Sequence, residues 1–202
     1  MHPIDDLIAT RLRESIEAKQ RLQDGPGTAV IRDMAIAVVD SLRAGGKTLF
    51  AGNGGSYADS IHLAGEFVSR FTMEREPIAG LALGANNSIM SAVGNDYSFN
   101  DVFLREVKAL GRPGDVFVAI STSGNSPNIV TAVKVALGMG IAVFGMTGEK
   151  PCALDDLCPC LKAPSAVTAR IQECHITAGH ILCELVERLL FDATFDDGAS
   201  AQ

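Results

Sequence analysis

Short apolar runs that alternate with segments of helical periodicity constrain the fold of this chain more than any other feature. We predict strands at residues 48–51, 78–83, 115–120 and 142–147 and near Leu161, and helices at residues 56–70, 87–94, 100–110, 127–138 and 169–191. Strands that alternate with helices pair in parallel and are covered by helices on both faces. The fold class is therefore α/β, and we expect a three-layer α/β/α sandwich built on a parallel sheet.

Two amphipathic helices are expected before the first strand. Apolar residues recur at helical spacing within residues 4–16 and again within residues 31–42, and the segment Asp24-Gly25-Pro26-Gly27 separates the two patterns. We therefore divide the chain into an N-terminal helical extension at residues 1–45, an α/β domain at residues 46–192 and a disordered tail at residues 193–202. The extension is expected to pack in an oligomer, and the alternative is that it covers the chain's own sheet.

Composition narrows the class of protein. The chain has 202 residues, of which 47% are hydrophobic, and a net charge of −7, which supports a sizeable core and argues against a nucleic-acid or anionic membrane surface. No apolar run is long enough for a transmembrane helix, and the acidic start lacks the features of a signal peptide. The odd number of cysteines, five, fits a reduced compartment, so we expect a cytoplasmic protein with no membrane or nucleic-acid partner.

The segment Ser121-Thr122-Ser123-Gly124-Asn125-Ser126 lies between a predicted strand and a predicted helix. Unpaired N–H groups and the helix dipole favour an anion at a helix start, and the hydroxyl groups add neutral donors. Ligands of open α/β sheets bind at this edge of the sheet. The sequence therefore predicts a phosphate-binding loop and a phosphorylated small molecule as ligand, and the alternative is a Ser/Thr-rich helix cap.

A second loop, Gly52-Asn53-Gly54-Gly55-Ser56, also follows a predicted strand. Tyr57 stands where the dinucleotide-binding fingerprint needs its third glycine, so NAD is not favoured as a ligand. We interpret this loop as a tight turn whose N–H groups and Asn53 amide face a polar ligand.

Two pairs of side chains could contribute to a metal site. His62 and Glu66 are four residues apart on one predicted helix, which places both on one face and supplies half of a zinc site. An ordinary surface His–Glu pair is the alternative. Gln172 and His180 are eight residues apart on the last helix, about 12 Å along its axis, so they share a metal only at full extension or from two subunits.

Cysteines offer a rival zinc cluster. Cys152, Cys158 and Cys160 lie close together in the sequence, and only Cys174 could supply a fourth thiolate ligand. Their spacing matches no common structural zinc site. Thiols that bind no metal are the favoured interpretation.

These motifs, in this order and spacing, resemble the phosphoheptose isomerases, a family of the sugar isomerase (SIS) superfamily. The resemblance runs from the N-terminal helices to about Leu190, and the hydroxyl-rich segment alone would indicate only an SIS domain. One departure is Ala169, which stands where some members have an acidic residue, so no role is transferred for that carboxylate. The matching residues are Gly52-Asn53-Gly54-Gly55-Ser56, Asp59, His62, Glu66, Arg70, Gly94-Asn95-Asp96, Ser121 to Ser126, Arg170-Ile171-Gln172-Glu173 and His180.

The resemblance implies a flavodoxin-like SIS domain at residues 46–192 and a homotetramer with active sites between subunits. It implies interconversion of sedoheptulose 7-phosphate and D-glycero-D-manno-heptose 7-phosphate, on the route to ADP- or GDP-heptose and to lipopolysaccharide or other surface glycans. One Zn²⁺ per subunit is implied, with His62, Glu66, Gln172 and His180 as ligands. The implied substrate contacts are Asn53, Gly54, Gly55, Ser56, Glu66, Asn95, Asp96, Ser121, Thr122, Ser123, Ser126 and Gln172.

Aldose–ketose isomerisation moves a proton between C1 and C2 through an enediol or enediolate, which requires a base, a proton shuttle and an electrophile. Glu66 is the candidate base and His180 the candidate acid/base partner. Two other functions remain open. One is a non-catalytic tetrameric SIS regulator that binds the replication initiator protein, and the other is an SIS isomerase for a different sugar phosphate.

Overall fold

One parallel sheet forms the centre of the molecule, in a computed structural model that describes residues 2–195. The strands follow the order β2-β1-β3-β4-β5, and every neighbouring pair is parallel. The predicted α/β sandwich is therefore confirmed. The second strand is shorter than predicted, because the N–H of Ile78 bonds to the carbonyl of Phe67 instead of joining the ladder. The strands are β1 (Thr48–Gly52), β2 (Gly80–Ala82), β3 (Val116–Ile120), β4 (Ala142–Gly148) and β5 (Cys160–Ala163).

The helices lie close to their predicted positions. They are α1 (Pro3–Asp24), α2 (Gly27–Arg43), α3 (Gly55–Val68), α4 (Asn87–Asp96), α5 (Val102–Leu110), α6 (Pro127–Gly138) and α7 (Thr168–Phe191). A short 3₁₀ turn, Phe99–Asp101, precedes α5. Pro26 separates α1 from α2, since its ring removes the N–H that a continuous helix would need. None of the helices within residues 2–195 combines the length and the apolar composition that crossing a membrane requires.

Side chains alternate between two cores, one on each face of the sheet. Phe50 and Val118 point into the core that α2, α3 and α7 cover, whereas Leu49 and Phe117 point into the core that α4, α5 and α6 cover. Because neighbouring residues of a strand face opposite sides, the continuous apolar strands of this sequence serve both cores. Helices cover both faces of the sheet, so the loops at its carboxyl edge extend from strands that are packed on both sides.

The two N-terminal helices play different structural roles. Helix α2 buries Ile31, Met34 and Val38 against the chain's own sheet, so it belongs to the sandwich. Helix α1 packs through Ala18 and Leu22 but leaves an apolar stripe in solvent. The stripe consists of Ile4, Leu7, Ile8, Leu12 and Ile16, each between 54% and 67% exposed. Packing of this extension in an oligomer remains a prediction.

The chain leaves α7 through a turn, in which the N–H of Thr194 donates to the carboxylate of Asp192. The remainder of the predicted tail, residues 196–202, lies outside the residues that the structure describes.

Candidate active site

Two polar loops lie side by side at the carboxyl edge of the sheet. One follows β1 and the other follows β3, and these adjacent strands lead to helices on opposite faces. This is the switch point at which open α/β sheets bind ligands. A reciprocal amide pair joins the loops, since Asn53 and Asn128 each donate to the other at 2.9 Å. The Asn53 amide therefore faces Asn128, a buried residue that local motifs did not single out.

The hydroxyl loop, residues 121–126, is held by its own polar groups. The Ser121 and Ser126 hydroxyls are 3.0 Å apart, and the N–H of Gly124 donates to the carbonyl of Ser121 at 2.9 Å. Ser123 is exposed, and its hydroxyl accepts from the N–H of Asn125 at 3.2 Å. Gly124 has φ +64° and packs against Cys152, so its turn has no space for a Cβ. The loop therefore presents its hydroxyls from a fixed backbone.

A cavity of about 270 Å³ opens beside the hydroxyl loop. Thr122, Ser123 and Asn125 line one side of it, whereas the predicted contacts Ser121 and Ser126 do not line it. The segment after β4 and the start of α7 line the rest, with Glu149, Lys150, Ser165 and Thr168. The motif search missed these residues, although their positions at or near the carboxyl edge of β4 and β5 are the signal that could have found them.

The start of α7 lies beside this cavity and lacks a side-chain cap, since its N-cap is Val167 and Thr168 lines the cavity. The first N–H groups of a helix need a partner and attract negative charge. The start of α6 does not line the cavity, and the N–H of Ile129 already donates to the side chain of Asn128. Glu149 also lines the cavity, so the start of α7 and Lys150 are the groups that favour an anion there.

The glycine loop brings α3 close to α7. Gly54 has φ +57° and stands just before α3, while Ser56 is buried in the first turn of that helix. The side-chain amide of Gln172 lies against Gly55, where any Cβ would overlap it. The absence of a side chain at Gly55 therefore lets Gln172 approach the glycine loop within one subunit.

Three predicted catalytic or metal-binding side chains meet farther along the same helices. His62 Nε2 lies 3.0 Å from Glu66 Oε1, and the rings of His62 and His180 are 5.0 Å apart in an edge-on arrangement. Phe71 also stacks on the ring of His180, with ring centroids 5.3 Å apart. His180 Nε2 is buried without a hydrogen-bond partner among the described residues. This acid–imidazole cluster, His62, Glu66 and His180, thus offers a free ring nitrogen.

The donor types of this cluster fit Zn²⁺, which binds imidazole nitrogen and carboxylate oxygen. The unpartnered His180 Nε2 supports the fit, because a buried imidazole nitrogen needs a partner. Within residues 2–195, however, no His, Cys, Asp and Glu side chains form a preassembled site of three or more ligands. Gln172 contacts Gly55, about 12 Å along the α7 axis from His180, so the structure does not gather the four predicted ligands in one subunit.

The predicted contacts Asn95 and Asp96 lie apart from the cavity. Both are exposed in the last turn of α4, and the Asn95 amide donates to the Asp96 carboxylate at 2.8 Å. The structure does not bring them to the hydroxyl loop of the same chain, so their predicted role requires another subunit or a movement of α4.

The cysteine alternative is wrong. Cys158 lies in the core beneath α5 and α6, whereas Cys174 lies in the core beneath α2 and α3, on the opposite face of the sheet. Cys152 instead contacts Asp155 at 3.3 Å and Lys162 at 3.5 Å. All five thiols are free, and the sheet prevents these four from sharing one ion.

A second imidazole of α7 is more deeply buried than His180. His175 Nε2 lies 3.1 Å from the carbonyl of Thr147, and its Nδ1 has no partner in the described part of the chain. Burial lowers the pKa of His175 to about 4, because the protonated ring would lose its hydration, although the bond to Thr147 opposes the shift. His175 is therefore neutral near pH 7 and belongs to the core.

Comparison with known proteins first identifies the domain family of the chain. Residues 12–148 match the SIS domain family, a stretch that includes both polar loops and the cluster residues of α3. Together with the 2-1-3-4-5 parallel sheet, this match makes the chain an SIS-domain protein.

Close relatives then narrow the family. The chain is 44% identical over 197 residues to phosphoheptose isomerase 2 of Campylobacter jejuni, covering 96% of this chain and 98% of the relative. It is 49% identical over 167 residues to phosphoheptose isomerase of Rhodospirillum rubrum, covering 82% and 89% respectively. The solved phosphoheptose isomerase of Francisella tularensis superposes with a TM-score of 0.87 and 34% identity, over 93% of this chain and 100% of that one. The chain therefore belongs to the phosphoheptose isomerase family and is an enzyme of the isomerase class.

Proposed function

We propose that this protein interconverts sedoheptulose 7-phosphate and D-glycero-D-manno-heptose 7-phosphate through an enediol or enediolate. The observation that carries the proposal is that one long helix, α7, contributes Thr168 to a cavity suited to an anion and His180 to the acid–imidazole cluster. The names of the relatives support the substrate. Supply of nucleotide-activated heptose for surface glycans, in the cytoplasm, is the role that we infer for the product.

The hydroxyl loop would hold the phosphate. Thr122 and Ser123 supply neutral donors, and the uncapped start of α7 adds N–H groups that stabilise negative charge. Lys150 adds a positive side chain at the rim of the same cavity. Binding at the phosphate end leaves the carbonyl end of the sugar free to reach a base.

Glu66 and His180 would move the protons. Glu66 removes the proton from the carbon next to the carbonyl, and His180 Nε2, which has no hydrogen-bond partner among residues 2–195, exchanges the hydroxyl proton. His62 bonds to the Glu66 carboxylate and orients it. Zn²⁺, one per subunit, would be held by His62, Glu66 and His180, with Gln172 of a neighbouring subunit as the fourth predicted ligand, and it would supply positive charge that polarises the carbonyl. Glu66 and His180 would have to be released from the metal during turnover to exchange their protons.

The distance between the two halves favours an active site shared between subunits of a homotetramer. Thr168 lines the cavity, and His180 lies twelve residues farther along α7, about 18 Å along the helix axis. That separation exceeds the length of an extended heptose phosphate. The exposed apolar stripe of α1 supports association, since contiguous apolar surface of this kind favours burial against a partner.

The test is turnover of sedoheptulose 7-phosphate by the purified protein, with and without a chelator. Glu66→Gln and His180→Ala should each lose about 10²-fold or more in kcat while remaining folded oligomers. Glu184→Gln is the matched control, because Glu184 pairs with Arg188 at the same four-residue spacing on the exposed part of α7. Full activity in both cluster variants would refute the assignment.

Measuring turnover of phosphorylated pentoses and amino sugars distinguishes this proposal from the alternative of an SIS isomerase for a different sugar phosphate. The regulator alternative is disfavoured because His62, Glu66 and His180 converge, which a protein that only binds an initiator would not need. Absence of turnover on every sugar, combined with tight binding to the initiator protein, would reverse that preference.

A further inference from the structure

A buried ion pair lies directly behind the acid–imidazole cluster. Arg75 Nε and Glu187 Oε1 are 3.0 Å apart, and their side chains are only 2% and 1% exposed. Glu187 comes from α7, and Arg75 from the 69–76 loop that follows α3. Buried charges are tolerated only when they are paired and hydrogen-bonded, so every contact of this pair constrains its surroundings.

Glu187 fixes the start of the loop. Its carboxylate accepts from the N–H of Phe71 at 2.6 Å and from the N–H of Thr72 at 2.8 Å, in addition to Arg75. Burial raises the pKa of Glu187, but these hydrogen bonds outweigh that effect and the pKa lies below its ordinary value. The carboxylate is therefore charged near pH 7 and holds the backbone of Phe71 in one place.

Arg75 fixes the end of α3. Its Nη2 donates to the carbonyl of Glu66 at 2.7 Å, and its Nη1 donates to the carbonyl of Phe67 at 2.7 Å. The last carbonyls of a helix have no partner within the helix, so the guanidinium takes the place of a cap. The backbone that carries the candidate base is thereby tied to the same ion pair.

The ring of Phe71 completes the connection to His180. It stacks on the imidazole at 5.3 Å with an angle of 28° between the planes, and His62 contacts the imidazole edge-on at 5.0 Å. His180 Nε2 has no hydrogen bond within residues 2–195, so in the protein without bound metal the packing between these two rings sets the direction of the imidazole. The Phe71 ring stays in place because Glu187 holds its N–H.

We propose that the Arg75–Glu187 pair and Phe71 are positioning residues for the isomerase reaction. Arg75 holds the backbone of Glu66, and Glu187 holds Phe71, whose ring fixes the plane of His180. None of the three needs to touch the substrate. This inference rests on the proposed roles of Glu66 and His180. It adds the contacts that keep these two side chains in position.

The decisive variant is Phe71→Leu, which removes the aromatic ring and keeps an apolar side chain. Misplacement of a catalytic group by about 1 Å costs about 10²-fold, so kcat should fall by that order while KM stays unchanged. Phe71→Tyr keeps the ring and should retain wild-type kcat. Phe191→Leu, the same change at the exposed end of α7, is the matched control and should have no effect.

A second readout follows His180 directly, in protein treated with chelator. The chain has four histidines, so ring ¹³C labelling gives a spectrum that histidine variants can assign. Stacking on Phe71 should shift the ring protons of His180 upfield, and Phe71→Leu should remove that shift while Phe71→Tyr retains it. Glu187→Gln should move the same His180 resonances and lower kcat. If the Glu187→Gln variant does not fold, the Phe71 variants still test the proposal.

The outcomes separate the two proposals. Loss of kcat together with loss of the upfield shift in Phe71→Leu supports positioning. Unchanged kcat, unmoved resonances, or a fall in kcat without any change at His180 would overturn it while leaving Glu66 and His180 as catalytic residues. Absence of heptose phosphate isomerisation in the wild-type protein would instead refute the proposed function.

Discussion

Acid should destabilise this protein through His175, a residue that takes no part in the proposed reaction. Its pKa is lowered by burial from 6.5 to about 4. In the unfolded chain the ring binds a proton below about pH 6.5, whereas in the folded protein it stays neutral down to about pH 4. The unfolded state therefore binds more protons between these values, and folding stability falls as the pH falls.

The size of the effect follows from the two pKa values. Each tenfold difference in proton affinity is worth about 1.4 kcal/mol, so lowering the pKa from 6.5 to about 4 corresponds to about 3 kcal/mol. This contribution of His175 to the free energy of unfolding is fully present above pH 6.5, decreases as the pH falls, and is lost by about pH 4. About 3 kcal/mol is a large part of the free energy of unfolding of a typical domain.

The experiment compares the wild type with His175→Gln. Glutamine keeps an N–H donor for the carbonyl of Thr147 but does not titrate. Free energies of unfolding come from urea denaturation followed by circular dichroism, at one protein concentration from pH 7.5 to pH 4. The wild type should lose about 3 kcal/mol relative to the variant over that range. Parallel stability curves, or an NMR titration of His175 in the folded protein near its ordinary pKa, would refute the reasoning.

Three further changes probe the phosphate side of the cavity. Gly124→Ala places a methyl group against Cys152 at φ +64°, so it should cost about 1–3 kcal/mol in thermal stability and weaken binding of inorganic phosphate by calorimetry. Unchanged melting would contradict the tight packing of this turn. Lys150→Met should raise KM for the sugar phosphate about tenfold and leave kcat unchanged; an equal KM would place Lys150 outside the phosphate site. Ser123→Ala should weaken phosphate-bearing ligands by about 0.5–1.5 kcal/mol, up to about 3 if the lost bond is to charge, and an unchanged KM would count against its role.

Much of the fold could be predicted because the deciding signals are local. Short apolar runs marked the central strands to within a residue or two at their ends, and glycine and hydroxyl clusters marked the loops that follow β1 and β3. The rule that parallel sheets bind ligands at their carboxyl edge then placed the hydroxyl loop at a cavity. Each of these inferences needs only residues that are close together in the sequence.

Contacts between residues that are far apart in the chain could not be predicted from the sequence. Phe71 and His180 are far apart in sequence, and nothing near Phe71 indicates that its ring stacks on an imidazole of α7. The partner of Asn53 is Asn128, an unremarkable residue of α6 until the loops are brought together. Asn95 illustrates the opposite case, since a residue singled out by its motif lies at the exposed end of α4, away from the cavity of its own chain.

The connectivity of the sheet has a consequence for biosynthesis. Strands that pair in the sheet are far apart in the sequence. The elements α3, β2, α4 and α5 are all synthesised after β1 and before its partner β3. Such non-local pairing folds slowly and leaves incomplete chains prone to aggregate. Helix α7, which closes the face carrying Phe50 and Val118, is synthesised last. A chain that ends before Thr168 keeps α2 and α3 on this face but exposes the apolar surface that α7 would cover, so products of premature stop codons should be degraded or aggregate.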